Sequence, residues 1–227
     1  SAAKRAAVVE AQLAYMTHAV VVDEVDADAI NTKGKIQAFW CPAFVPERFI
    51  DPPDEHPVHN VAAFHGTPYG HRQAWLDHPG LQGVLVYPSL PPSAVQRLFD
   101  QLQLTAATLL AREPDAVETL LPKYVSDLQR VRLVEFTQWM RNLRTWACIV
   151  NLPGFQKGYG GRVYEAMAAG RPVISWDIKD RPRNRALFEE GKEILFFPKT
   201  DPGSLAQHIA SVLNQKTYAY GLARSAN

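Results

Sequence analysis

The sequence predicts an α/β fold built on a doubly wound, parallel sheet. After residue 57, short apolar runs alternate with segments of helical periodicity, and such runs are typical of strands buried on both faces. The runs lie at 58–64, 84–87, 130–136, 146–152, 172–176 and 193–197. Because strands and helices alternate along the chain, we expect parallel strands with helices on both faces of the sheet.

The segments between these runs predict the helices. Residues 94–112 carry leucines at helical spacing, and residues 161–169 form a second periodic stretch that ends at a glycine. Asp201 or Ser204 is expected to cap a final helix that runs through Leu213. Shorter helices are predicted at 72–76, 138–145 and 185–190.

The region before residue 58 differs in character and predicts a separate unit at 1–50. Helices are expected at 4–16 and 26–32, and strands at 19–22 and 36–40. Prolines then recur between Pro42 and Pro57 among acidic residues, a composition that sustains neither helix nor central strand. We therefore predict a linker at 51–57 and a main domain at 58–227.

Composition excludes some classes of function. The chain has 24 Lys and Arg against 23 Asp and Glu, so it lacks the basic surplus that nucleic-acid binding requires. No apolar run reaches the roughly 18 residues of a membrane span, and we expect a cytoplasmic protein. The two cysteines, Cys41 and Cys148, are expected to be free thiols. The seven histidines show no metal-ligand spacing, so no metal is expected.

One candidate binding loop follows the strand predicted at 58–64. Gly66 comes almost directly after that strand, where the lack of a side chain lets a ligand approach the backbone. Thr67 follows it, and Arg72 is close enough in sequence to serve as a phosphate partner. A plain turn between strand and helix explains the same residues equally well.

A stronger candidate follows the strand predicted at 146–152. Four glycines lie within the eight residues 154–161, immediately before a helix, where free amides and the helix dipole form an anion site. Lys157 and Arg162 add positive charge. The spacing fits neither a P-loop nor a dinucleotide fingerprint, and a flexible loop remains the alternative. Glu165, in the first turn, either stabilises the helix or accepts bonds from ligand hydroxyls.

Residues 158–174, with the glycines followed by Glu165-Ala-Met-Ala and a Pro-Val-Ile strand, resemble the signature of retaining GT-B glycosyltransferases. Residues 190–195 and 201–206 resemble the same family, the group 1 glycosyl transferases, and so do residues 64–67 with Arg72. The loops look most similar to the CgeB-like branch. The resemblance covers about 58–213 and implies that residues 1–50 are a remnant of an N-terminal, acceptor-binding domain.

The resemblance also implies roles for individual residues. Glu165 would hold the ribose hydroxyls of a nucleotide-diphosphate sugar, and residues 134–137, after a strand, would contact the base through backbone groups. Arg72, Lys157 and Arg162 would stabilise the charge that develops on the leaving diphosphate. The implied donor-binding set is Gly66, Thr67, Arg72, Val134, Phe136, Thr137, Lys157, Gly158, Tyr159, Gly160, Gly161, Arg162, Val163 and Glu165. Trp139 either contributes to the contact with the base or lies in the core, and the core position is the expectation.

The sequence departs from the family at one position. The glutamate that the family places eight residues before Glu165 is Lys157 here, which leaves the choice of sugar open. The resemblance implies a hexosyltransferase that uses a UDP- or GDP-sugar, transfers with retention to an unknown acceptor and needs no metal. We expect this chain to be a truncated, mainly donor-binding piece that binds the nucleotide without efficient transfer. A non-catalytic nucleotide-binding module and a nucleotide-sugar 2-epimerase are the alternatives.

Overall fold

The computed structural model describes residues 11–88, 94–112, 117–154 and 158–227. The strands are β1 (His18–Val21), β2 (Gln37–Trp40), β3 (His59–Ala63), β4 (Leu85–Val86), β5 (Trp146–Asn151), β6 (Val173–Trp176) and β7 (Leu195–Phe197). The helices are α1 (Glu24–Lys33), α2 (Arg72–Leu76), α3 (Ala94–Arg112), α4 (Val117–Arg144), α5 (Gly161–Ala168), α6 (Pro182–Arg185), α7 (Pro202–Asn214) and α8 (Lys216–Ala226). Short 3-10 turns lie at Glu47–Phe49 and Pro79–Leu81.

The main sheet has five strands in the order β4-β3-β5-β6-β7, and every neighbouring pair is parallel. All four residues of β6 are buried, as expected for a strand covered on both faces. Helices pack around the sheet, so the predicted α/β class with a parallel sheet is confirmed. The order places β3 and β5 side by side, and the loops that follow them meet at one edge of the sheet.

The two predicted N-terminal strands form a separate parallel pair, β1 with β2. Helix α1 joins them: Asp23 caps its start and Gly34 ends it with a left-handed φ of 67°. Residues 11–13 are helical, and the rest of the helix predicted at 4–16 lies outside the described residues or is not helical.

The proline-rich segment predicted as a linker is held against the main domain. Asp51 pairs with Arg144 at 2.9 Å, and its amide donates to the carbonyl of Ala168. Gly170, which ends α5 with a φ of 68°, lies so close to this segment that a Cβ there would be 2.8 Å from Pro53 Cα. The segment therefore forms part of the surface around α5.

The strand predicted at 130–136 is wrong, because these residues lie inside α4 together with the helix predicted at 138–145. The apolar residues of this segment, Val131, Leu133, Val134 and Phe136, fit one face of a helix as well as a strand. Phe136, Met140 and Leu143 follow the spacing i, i+4 and i+7 and pack on the core, which a continuous helix achieves.

Two differences and one confirmed prediction concern the C-terminal third. The helix predicted at 185–190 instead spans Pro182–Arg185, where the proline occupies the first turn that suits its fixed φ. Asp201 caps α7 by accepting from the amide of Ser204, which confirms the predicted cap. Helix α8, which follows after Gln215, was not predicted.

Candidate functional site

The glycine loop leads from the end of β5 to the N-terminus of α5. Gly160 is the N-cap of α5 and has no side chain to bond the first helical amides. Those amides have no partner within a helix, so the groups of Gly161 and Arg162 are available to an anion together with the positive end of the helix dipole. Residues 155–157, and with them Lys157, lie outside the described residues.

The packing of α5 decides which side chains face outward. Val163, Ala166 and Met167 are buried and fix the helix against the sheet. Arg162 is exposed, and Glu165 is half-buried on the outward side. A Cβ on Gly161 would lie only 3.3 Å from Glu165 Oε1, so a glycine there leaves room beside that carboxylate.

A tryptophan holds the carboxylate of Glu165. The Trp139 indole N–H donates to Glu165 Oε2 at 2.8 Å, across from α4 to α5. Trp139 is half-buried and packs against the core, as expected, but the expectation did not include this hydrogen bond. With Oε2 engaged, the carboxylate is oriented and Oε1 remains available to a ligand hydroxyl. Nothing in the spacing of the two residues, 26 positions apart, signals this pairing.

Arg72 lies at the start of α2 and is 8% exposed. Its guanidinium donates to the carbonyls of Pro153 at 3.0 Å, Thr67 at 3.2 Å and Leu152 at 3.3 Å, which ties the loop after β3 to the loop after β5. A Cβ on Gly154 would overlap this guanidinium. Since a guanidinium has five N–H donors, two remain for a ligand.

The electrostatics of this edge favour the binding of an anion. Burial, and next the positive charge of Arg162, lower the pKa of His65 from 6.5 to about 4. Burial also lowers the pKa of Arg72, where Arg162 again acts in the same direction. The guanidiniums of Arg72 and Arg162 therefore repel each other, whereas His65, with a pKa of about 4, is neutral near pH 7. An anion bound between the two guanidiniums would relieve that repulsion.

The remaining predicted site residues fall into two groups. Gly66 and Thr67 lie in the loop after β3, where Thr67 is exposed, and Gly158 and Tyr159 lie before α5. The side chain of Tyr159 is buried and stacks on Phe196, so only its backbone is placed to face a ligand. Val163, equally, turns its side chain into the core. The donor-binding roles of these residues stay predictions.

Val134, Phe136 and Thr137 do not follow a strand, which corrects the geometry expected for them. They lie within α4, where backbone groups are bonded along the helix and cannot serve a base. Only side chains remain for contact. Phe136 packs edge-on against Phe49 with ring centroids 4.8 Å apart, and the Thr137 hydroxyl donates to the carbonyl of Leu133.

A groove of about 1090 Å³ lies along α4, between it, α3 and the segment before the main domain. We call it the α4 groove; its lining residues are Phe44, Pro46, Arg48, Phe49, Gln96, Phe99, Ser126, Gln129, Arg130, Arg132, Leu133, Glu135, Phe136 and Trp139. Trp139 thus lines this groove while bonding Glu165, so one lining residue of the groove contacts α5.

The N-terminal unit contacts the main domain close to the same place. Glu24, 2% exposed, accepts from the amides of Arg183 at 3.1 Å and Asn184 at 2.6 Å, and so caps the start of α6 from another part of the chain. Asp23 accepts from Arg181 at 2.8 Å. These bonds fix the unit beside the glycine loop, since a Cβ on Gly158 would lie nearest to the side chain of Asn184.

In the described part of the chain, no three His, Cys, Asp or Glu side chains cluster closely enough to hold a metal ion. No helix in these ranges is long and apolar enough to cross a membrane. Both cysteines are free thiols, and burial raises the pKa of Cys148 to about 12.

Three solved structures illustrate the similarity of fold. A mutant of S. aureus TarM, in complex with fondaparinux, alpha-GlcNAc-glycerol and UDP, has a TM-score of 0.51 and 15% identity over 94% of this chain and 40% of its own. Anabaena Alr3699/HepE, in complex with UDP and glucose, has a TM-score of 0.54 and 12% identity over 92% of this chain and 57% of its own. Sucrose-phosphate synthase from Thermosynechococcus elongatus has a TM-score of 0.50 and 16% identity over 95% of this chain and 54% of its own.

This chain therefore spans roughly half the length of these proteins, and the likeness concerns the fold. No curated protein sequence matches it significantly. The sequence profile described as "Glycosyl transferases group 1" matches residues 78–215, which is more than half of the chain. The profile does not address the CgeB-like branch, which stays a prediction. The fold and this match together show that the chain belongs to the group 1 glycosyl transferases.

Proposed function

We propose that this chain is the donor-binding part of a glycosyltransferase and holds a nucleotide-diphosphate sugar at the N-terminus of α5. The observation that carries the proposal is the uncapped start of α5, which lies beside the exposed Arg162 and the oriented Glu165. The diphosphate contacts the amides of Gly161 and Arg162 and the Arg162 guanidinium. Arg72 meets it from the opposite loop with its two remaining N–H groups.

Glu165 accepts hydrogen bonds from the ribose hydroxyls through Oε1, while Trp139 holds Oε2. The base then extends toward the side chains of Phe136 and Trp139 at the near end of the α4 groove. UDP is the first nucleotide to test, because the similar TarM and HepE structures contain it. GDP is the second.

Catalysis in this proposal is electrostatic. When the bond from the anomeric carbon to the diphosphate breaks, negative charge grows on the phosphate oxygens. Arg162, Arg72, the α5 dipole and Lys157 stabilise that charge, and no metal is required. Retention, a hexose donor and a cytoplasmic location are further parts of the proposal. So is the assignment of residues 1–50 to the acceptor-binding half, with the remainder of that half outside this chain.

Calorimetry with UDP, GDP and their sugars tests the donor site. We expect one nucleotide to bind, and Arg162→Gln to weaken it about tenfold or more, because a charge-assisted phosphate contact contributes about 1.5–3 kcal/mol. Arg224→Gln, an exposed arginine on α8, is the matched control and should leave the affinity unchanged. Absence of binding by every nucleotide, or equal affinity in the Arg162 variant, would overturn the proposal.

A further inference from the structure

A second, smaller groove lies between helices α3 and α4 and has a volume of about 420 Å³. Only four residues separate the two helices along the chain, so they form an antiparallel hairpin. We call this the hairpin groove; its apolar lining residues are Val95, Leu98, Leu102, Val131 and Val134. Of the described residues, Arg130 alone lines both this groove and the α4 groove, so the hairpin groove is separate from the proposed donor site.

The apolar residues of the hairpin groove form one stripe on each helix. Val95, Leu98 and Leu102 follow the helical spacing i, i+3 and i+7 on α3, and Val131 and Val134 follow i and i+3 on α4. Val131 is buried, but Leu98 is 49% exposed and Val134 45%. A helix pair that leaves such a stripe in solvent is typical of a surface that packs against further helices.

Two charged residues of α4 border this stripe and have opposite signs. Asp127 is half-buried and Arg130 is exposed, and both line the hairpin groove. Within the described ranges, neither of them forms an ion pair with another side chain. Because the two charges balance, the groove does not favour a polyanion or an anionic lipid surface, which require a positive excess. Its partner has to present an apolar stripe together with one base and one acid.

A second copy of α4 meets these requirements when it runs antiparallel to the first. With a twofold axis between residues 128 and 129, Asp127 lies opposite Arg130 of the second copy, and the symmetry repeats this contact. One acid and one base in each chain therefore give two ion pairs across the interface. The apolar stripes of the two copies then pack together as in a four-helix bundle.

The hairpin is also large enough for a stable dimer. The 19 residues of α3 extend about 28 Å at 1.5 Å per residue, and two helices side by side are about 20 Å wide. Such a face has a projected area of about 560 Å², and the relief of the side chains raises the accessible surface above that projection. A standard interface buries about 800 Å² on each partner, which is the same order of size.

We propose that the hairpin groove is a dimer interface, in which the α3–α4 hairpins of two copies of this chain form a four-helix bundle and Asp127 pairs with Arg130 of the second copy. Dimerisation goes beyond the donor site and does not depend on it, because the groove lies on a different face of α4. The occupant is a second copy, since the apolar stripe and the reversed order of charges are both present in the chain itself.

Sedimentation velocity of the full chain at increasing concentration tests the proposal. We expect a species with twice the chain mass of 25.3 kDa. Asp127→Arg places two arginines opposite each other at both symmetric positions, so the dimer dissociation constant should rise about tenfold or more. Adding Arg130→Asp reverses both charges and restores the pairs, and this double variant should dimerise within about threefold of the parent. Gln207→Arg, an exposed glutamine of α7 outside the hairpin, is the control and should dimerise as the parent does.

A second variant keeps the test independent of Asp127. Leu98→Lys puts a charge into the apolar stripe and should weaken the dimer by a similar factor, and circular dichroism confirms that each variant is folded. A parent chain that stays monomeric at every concentration would overturn the proposal and leave the groove to a different partner. So would a dimer that neither Asp127→Arg nor Leu98→Lys weakens, or a double variant that dimerises as poorly as Asp127→Arg alone.

Discussion

The replacement Trp139→Phe isolates the bond that orients Glu165. The phenyl ring keeps most of the packing in the groove but removes the indole N–H, which lies 2.8 Å from Glu165 Oε2. A hydrogen bond to a charged group contributes about 1.5–3 kcal/mol. If half of that value comes from fixing the carboxylate for the ribose, the binding free energy weakens by about 0.8–1.5 kcal/mol and the Kd for UDP should rise about fourfold to tenfold.

Titration calorimetry of four proteins measures this effect: the parent chain, Trp139→Phe, Glu165→Gln and the double variant. We expect the two substitutions to be non-additive, because they remove parts of one contact. Trp146→Phe is the matched control, since its indole bonds Asn142 rather than Glu165. A Kd for Trp139→Phe within about twofold of the parent, or strict additivity in the cycle, would refute the positioning role.

Three further predictions concern stability, each measured by urea unfolding. His65 takes up a proton below pH 6.5 when unfolded but only below about 4 when folded, so the free energy of unfolding should fall as the pH drops from 6.5 to 4. The loss reaches about 3 kcal/mol, and His65→Phe should remove this pH dependence. A variant whose stability falls with pH as the parent's does would contradict the prediction. Glu24→Ala should lower the free energy of unfolding by about 3 kcal/mol, because the amides of Arg183 and Asn184, the second of them buried, lose their acceptor, and a decrease below about 1 kcal/mol would count against the cap. Gly170→Ala should lower the free energy of unfolding by about 2 kcal/mol or more, because its Cβ would clash with Pro53. Gly191 also has a left-handed φ, of 79°, but its surroundings are open, so Gly191→Ala should lower that free energy by only about 1 kcal/mol. Equal costs for the two glycines would contradict the clash.

The sequence predicted those parts of the fold that depend on local pattern. Residues 146–152 and 172–176 are almost uniformly apolar, which is typical of a strand covered on both faces, and both form central strands. The glycines before Arg162 likewise predicted the start of α5. In these segments the local pattern and the tertiary environment favour the same structure.

The sequence failed where the outcome depends on distant contacts. Residues 130–136 fit a strand or a helix equally, and the packing of Met140 and Leu143 on the core decides for the helix. That change also removes the loop expected to bind the base. Neither the bond from Trp139 to Glu165 nor the cap that Glu24 provides for α6 follows from spacing, since each joins residues far apart in the chain.

The most direct test of the donor site measures the NMR chemical shifts of the backbone amides of Gly160, Gly161 and Arg162 during titration with UDP and, for comparison, with uridine. Because uridine lacks the diphosphate, the account predicts large, saturable shifts of these three amides with UDP and small ones with uridine. The same three resonances staying unmoved while UDP saturates the protein would contradict it.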